Sequence, residues 1–124
     1  MERIDGFGGF FFKAKDPKAI AKWYADHFGI APTPTEYGSQ PWQQTAGPTA
    51  FQPFPAETKY FGRPEQQFML NFRVGNLLAM VHDLQAAGIA VTLDPKEYPN
   101  GWFAQLEDPE GNPIQLWQPK EPRK

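Results

Sequence analysis

Glu107-Asp108-Pro109-Glu110-Gly111-Asn112-Pro113-Ile114-Gln115-Leu116-Trp117-Gln118-Pro119 is a turn followed by a short strand. Asp108-Pro109 sets the backbone angle at the turn entry, and Gly111-Asn112 supplies residues that tolerate positive φ. Between Pro113 and Pro119 the side chains alternate. Ile114 and Leu116 fall on one face, and Gln115 and Trp117 on the other. A strand with one aliphatic face and one polar, aromatic face needs helices on the first and a cavity or solvent on the second.

Working outward, the same grammar recurs. Phe68 to Val74 reads as a strand with Leu70, Phe72 and Val74 on one face and Met69, Asn71 and Arg73 on the other. Asn76 is a helix N-cap, Leu77, Met80, Val81 and Leu84 form an amphipathic stripe, and Gly88 closes the helix. Ile89–Leu93 and Trp102–Leu106 are further strands, separated by breaks at Asp94-Pro95 and Pro99-Asn100-Gly101. Gly6 to Ala14 reads as a strand too, with Phe10, Phe12 and Ala14 opposite Gly9, Phe11 and Lys13. Asp16 and Pro17 then open a helix carrying Ile20, Trp23, Tyr24 and Phe28, and Gly29 caps it. Gly9 superposes on Met69, Phe12 on Phe72, Lys13 on Arg73 and Asp16 on Asn76, so the chain contains a duplicated strand–helix unit. In the first copy, Pro32 and Pro34 interrupt the second strand and leave an irregular edge. Trp42–Thr45 and Thr49–Phe54 are its remaining strand candidates.

Composition bounds the function. The 124 residues are enough for one domain with a core, and a formal charge of −2 with 40% hydrophobic residues describes a globular chain. No basic surplus invites nucleic acid, and no apolar run approaches bilayer length. The absence of cysteine excludes disulfide scaffolds, thiolate catalysis and cysteine-ligated zinc. With no signal peptide at the start, a cytoplasmic protein is expected. The eleven Phe, four Trp and four Tyr fill a small core, with some available to line a ligand cavity. Most of the prolines lie between the periodic segments, where they punctuate turns and blunt strand edges.

The D-P-x-G-N-x-I-x-L hairpin, together with the repeat, resembles the vicinal oxygen chelate superfamily of glyoxalases, bleomycin-resistance proteins and extradiol dioxygenases. The resemblance implies an α+β fold of two tandem βαβββ units, 1–54 and 66–119, joined by a linker over 55–65. They form a single domain whose concave sheet carries helices on its outer face. It also implies that the inner face is a ligand cavity, to which metal-dependent members contribute ligands from the first and last strand of each unit. Here those positions are Gly9, Gln52, Met69 and Gln115. Glycine has no ligand atom, a thioether is soft, and neutral amides bind zinc, iron or manganese far more weakly than carboxylates do. No metal and no other cofactor is therefore expected. His27 and His82 read as surface residues of the two helices, and the acidic pairs Glu107/Asp108 and Asp94/Glu97 as turn formers.

The site expected from this reading is Phe11, Gln52, Met69, Asn71, Arg73, Gln115 and Trp117, with no catalytic residue assigned. Asn71 and Gln115 would orient a small polar ligand, Arg73 would pair with an anionic group, and Trp117 would stack or pack between strands. Three functions compete: a metal-free binder of a small polar or aromatic molecule, like the bleomycin-resistance branch; a metal-dependent lyase, isomerase or dioxygenase with an atypical site; and a non-catalytic scaffold. A small-molecule ligand and a second copy of the chain are the expected partners, the dimer because open sheet edges need covering.

Overall fold

The computed structural model describes residues 1–120. Helix α1 spans Pro17–Phe28, and β1 (Leu70–Arg73), α2 (Leu77–Ala86), β2 (Thr92–Leu93), β3 (Gly101–Glu107) and β4 (Pro113–Pro119) follow in order. The four strands form one mixed sheet in the order β1-β4-β3-β2, with β1 parallel to β4 and the other pairs antiparallel. From β1 onward this is a βαβββ unit. Helix α2 carries the chain from β1 at one edge of the sheet to β2 at the other, and antiparallel connections lead back through β3 to β4 beside β1.

Both helices begin and end on the expected chemistry. Asp16 accepts from the Ala19 N–H at 3.1 Å, Pro17 occupies the first turn, and Gly29 closes α1 at φ 72°. Asn76 accepts from the Ala79 N–H at 3.0 Å at the start of α2. At its far end the Ile89 N–H reaches back to the Leu84 carbonyl at 3.0 Å, which satisfies an otherwise orphaned acceptor.

The core lies on one side of the sheet. Ile20 and Tyr24 from α1 and Leu77, Val81 and Leu84 from α2 meet Ala104, Leu106, Ile114 and Leu116. Phe72 takes the α1 aromatics, with ring centroids 6.3 Å from Tyr24 and 5.6 Å from Phe28. The alternation in β1 and β4 therefore sorts as expected, with Leu70, Phe72, Ile114 and Leu116 towards the helices.

Asp108 does more than form a turn. It is 4% exposed, and its carboxylate accepts from the backbone N–H groups of Glu110 and Asn112 at 2.9 and 3.0 Å, and from Asn112 Nδ2 at 2.8 Å. The fourth donor is the Tyr24 hydroxyl at 2.6 Å, from the middle of α1. Burial, followed by this bond and the carboxylate charge, holds that hydroxyl well above the usual phenol range. Glu110 reaches the same junction. It accepts from the Lys15 and Asp16 N–H groups at 2.6 and 3.0 Å, just before α1. The hairpin turn is thus the fastening point for the first half of the chain.

That first half differs from the sequence expectation. Gly6–Ala14, Trp42–Thr45 and Thr49–Phe54, read as strands, make no strand pairing among the described residues. Side chains hold the first of these in place. Phe12 and Ala14 pack on the core, and the Phe10 and Phe12 rings meet Phe68 at 5.2 and 6.2 Å. The physical reason is one of partners. An extended segment becomes a strand only when a neighbouring backbone takes its N–H and C=O groups. The expected strands of the second half form, but Phe68–Val74 and Ile89–Leu93 shorten to Leu70–Arg73 and Thr92–Leu93. Among the described residues no helix is long and apolar enough to cross a membrane.

Candidate functional site

On the side of the sheet away from the helices, registered pairing aligns side chains into rows across the strands. One row is polar throughout: Asn71 opposes Gln115, Gln115 opposes Gln105, and Gln105 opposes Thr92. The neighbouring row is cationic and aromatic, with Arg73 opposite Trp117 and Trp117 opposite Phe103. Successive residues on one face lie about 6.8 Å apart along a strand, so a molecule of one or two rings spans both rows.

The polar row is internally wired. Asn71 Nδ2 donates to Gln115 Oε1 at 2.6 Å, and Gln115 Nε2 donates onward to the Tyr60 hydroxyl oxygen at 2.8 Å. Gln105 Nε2 donates to the same oxygen, also at 2.8 Å. In the second row Trp117 and Phe103 lie nearly parallel, 5° apart with centroids at 6.4 Å. The indole N–H of Trp117 is fixed by the Asn100 carbonyl at 2.9 Å. Gly101 makes this possible. It sits at φ 135°, and a Cβ there would run into the Gln118 carbonyl and come within 2.9 Å of the indole nitrogen.

Arg73 has a local partner. Its Nη2 donates to the Thr45 carbonyl at 2.8 Å, and its guanidinium lies directly over Gly47, so a side chain there would have to displace it. Among the described residues no carboxylate lies within ion-pair distance of it. Arg73 thereby draws the 42–50 stretch to the free edge of β1. A cavity of about 240 Å³ opens between them, lined by Trp42, Thr49, Asn71, Arg73 and Trp117 together with Phe72 and Met80.

Four of the seven expected site residues, Asn71, Arg73, Gln115 and Trp117, share this face. Met69 is half-buried just before β1. Phe11 is 94% exposed, and Gln52 is exposed in the unpaired 42–54 stretch. Gln105 and Tyr60 join the site without having been expected there. Alternation in β3 carries a signal for Gln105, since Trp102, Ala104 and Leu106 take the other face. Tyr60 has none, because it lies in a linker without periodicity.

Of the positions that the resemblance assigns to a metal, Gln115 and Gly9 do not fit a divalent ion. Gln115 spends its carbonyl oxygen on Asn71 and its amide on Tyr60, and Gly9 offers no donor. Among the described residues no three His, Cys, Asp or Glu side chains come together. A catalytic zinc needs three such donors and an open position. The two central rows also lack any carboxylate, imidazole or thiol for proton transfer. This surface can donate and accept hydrogen bonds, stack, and present one cation.

Several known proteins are similar to this chain. TnmS3, an antibiotic-binding protein from Streptomyces sp. CB03234, is 27% identical with a TM-score of 0.62, over 97% of this chain and 100% of that one. A glyoxalase/bleomycin resistance protein from the same strain is 38% identical over 44% of this chain and 48% of its own, with a TM-score of 0.38. A glyoxalase family protein from Bacillus anthracis is 18% identical with a TM-score of 0.50, over 83% of this chain and 84% of that one. No curated protein matches. The glyoxalase-like domain, however, matches residues 9–117, and the chain belongs to that family.

Proposed function

We propose that this protein binds a small polar or aromatic molecule on the inner face of its sheet, without a metal and without covalent chemistry. The observation that carries this reading is the pair of rows: amides that can orient a ligand, beside aromatic rings that can stack on it, with no acid, base or metal ligand between them. The antibiotic-binding relative supports an antibiotic as the ligand class. Asn71, Gln115, Trp117 and Arg73 form the floor of the site in this reading, and Met69, Phe11 and Gln52 complete its wall.

The test is a thermal-shift screen against antibiotics and metabolites, followed by calorimetry on each hit. Ligand at a hundred times its Kd should stabilise by about 2.7 kcal/mol. For a domain of this size that raises Tm by roughly 10 °C. Trp117→Ala should weaken a hit about 2- to 10-fold, the worth of one aromatic stack, and a true ligand should change the tryptophan fluorescence. A hit whose affinity ignores Trp117→Ala binds elsewhere and removes the inner face from consideration.

The same reading includes two tandem units, 1–54 and 66–119, completed by a second copy of the chain. The accessible surface is 10167 Å². A compact monomer of 14.1 kDa exposes only about 6,700 Å². The excess is larger than the roughly 1,000–2,500 Å² that each chain contributes to an obligate homodimer. Exposed apolar side chains contribute to it: Phe7 and Phe51 pack on each other while 56% and 81% exposed, and Ile4 is 91% exposed. Sedimentation at micromolar concentration should return twice the chain mass. A monomer under those conditions would remove the second copy from the site.

A further inference from the structure

The feature of the inner face that the binding reading leaves unused is the double hydrogen bond to Tyr60. A phenol oxygen has two acceptor sites, and both are filled, by Gln105 and by Gln115. The two glutamines are direct cross-strand neighbours on β3 and β4, so their amides converge on one point above the sheet. Asn71 turns the Gln115 amide the right way by holding its carbonyl oxygen. Such a pair is a clamp for a single acceptor oxygen. Phe54 stacks on the Tyr60 ring at 5.9 Å, with the planes 17° apart, and adds an aromatic wall beside the clamp.

The occupant is weakly held. Tyr60 is 47% exposed and comes from the 55–65 segment, which has no helix or strand of its own. Both of its hydrogen bonds come from neutral amides, the kind most easily exchanged for an equivalent acceptor. Its position is also central, above the polar row on which the proposed ligand would rest.

We propose that Gln105 and Gln115 form an oxygen-recognising subsite on the inner face of the sheet, and that Tyr60 fills it from within the chain as a stand-in for the ligand. The class of ligand follows from the stand-in: an aromatic ring bearing an acceptor oxygen, such as a phenol or an aryl ketone. Binding exchanges one aryl oxygen for another and releases the 55–65 segment from the sheet. Tyr60 then sets a threshold, because a ligand must outcompete an internal group, and its removal should raise the affinity. This inference rests on the inner face being the binding face.

The test supplies the missing group from solution. Side-chain amide resonances of Gln105 and Gln115 are followed in nitrogen-15-labelled protein titrated with p-cresol, the tyrosine side chain itself, and with toluene, which lacks the oxygen. In Tyr60→Ala, p-cresol should bind at least 10-fold more tightly than in the unaltered chain and return both amide pairs towards their original positions. Toluene should not move them, and adding Gln105→Leu should abolish the gain. In the unaltered chain, saturating p-cresol should shift the backbone resonances of 55–65 as Tyr60 leaves, a readout that needs no substitution. Equal p-cresol affinity with and without Tyr60, or toluene as effective as p-cresol, overturns the proposal. So does saturation of the unaltered chain with 55–65 unmoved. An antibiotic hit that depends on Trp117, with both glutamines indifferent to p-cresol, sinks the clamp and keeps the binding reading. Cresol rescue with no hit in the antibiotic screen keeps the clamp and sinks the antibiotic.

Discussion

Asp108→Ala should destabilise the protein by about 3–5 kcal/mol, the cost of removing the acceptor from a buried, charge-assisted network. Four donors converge on this carboxylate: the Glu110 and Asn112 N–H groups, Asn112 Nδ2 and the Tyr24 hydroxyl. The substitution leaves Tyr24 and Asn112, both buried, without their acceptor. Water can replace some of these bonds for the turn, but the Tyr24 hydroxyl lies under α1. Tyr24→Phe removes one bond and should cost less, about 1.5–3 kcal/mol for a hydrogen bond to a charged group. The two losses should not add, since both include the same bond. Urea unfolding of the two single variants and the double variant measures this directly. A loss of under 1 kcal/mol for Asp108→Ala would show that α1 is held to the hairpin by packing alone. The consequence for function is positional, because this hairpin leads into the strand that carries Gln115 and Trp117.

Adjacent residues of β4 should behave in opposite ways. Leu116 is fully buried between the sheet and the helices, so Leu116→Ala should cost about 2–5 kcal/mol through lost transfer energy and a residual cavity. Gln115, one residue earlier, faces the other side, where its side chain bonds to Asn71 and Tyr60. Gln115→Ala should cost about 1 kcal/mol or less and act on ligand binding instead. Denaturant midpoints for the two variants, each with its ligand affinity, separate core from site. A reversal of the two stability losses would mean that β4 is displaced by one residue, which turns every side chain to the wrong face.

The second half of the chain was legible because its information is local. Asn76 caps α2 three residues ahead of the N–H it accepts from, and Gly111 serves a turn that closes within five residues. The alternation of Ile114 and Leu116 with Gln115 and Trp117 is visible within four positions. Helix α1 was legible for the same reason, through Asp16, Pro17 and Gly29. Of the other expected site residues, Phe11 and Met69 came from the same alternation, and Gln52 from the family resemblance. Phe11 and Gln52 lie in segments that make no strand pairing among the described residues.

Long-range partners were another matter. Asp108 and Glu107 looked alike as acidic turn residues, yet one is buried against Tyr24 and the other exposed. The contact spans 84 positions, and nothing around either residue announces it. Tyr60 shows the same limit, since a linker without periodicity carries no sign of which side chains it will rest on. By itself the sequence determined which residues form helices and strands in the second unit, and which face of each strand is aliphatic. Only the tertiary structure decided that Tyr60 lies over the two glutamines, that Asp108 fastens α1, and that the first-half strand candidates pair with no strand among the described residues. Periodicity and capping are properties of neighbouring residues, whereas a buried hydrogen bond or a strand pairing exists only once a distant backbone or side chain has been brought alongside.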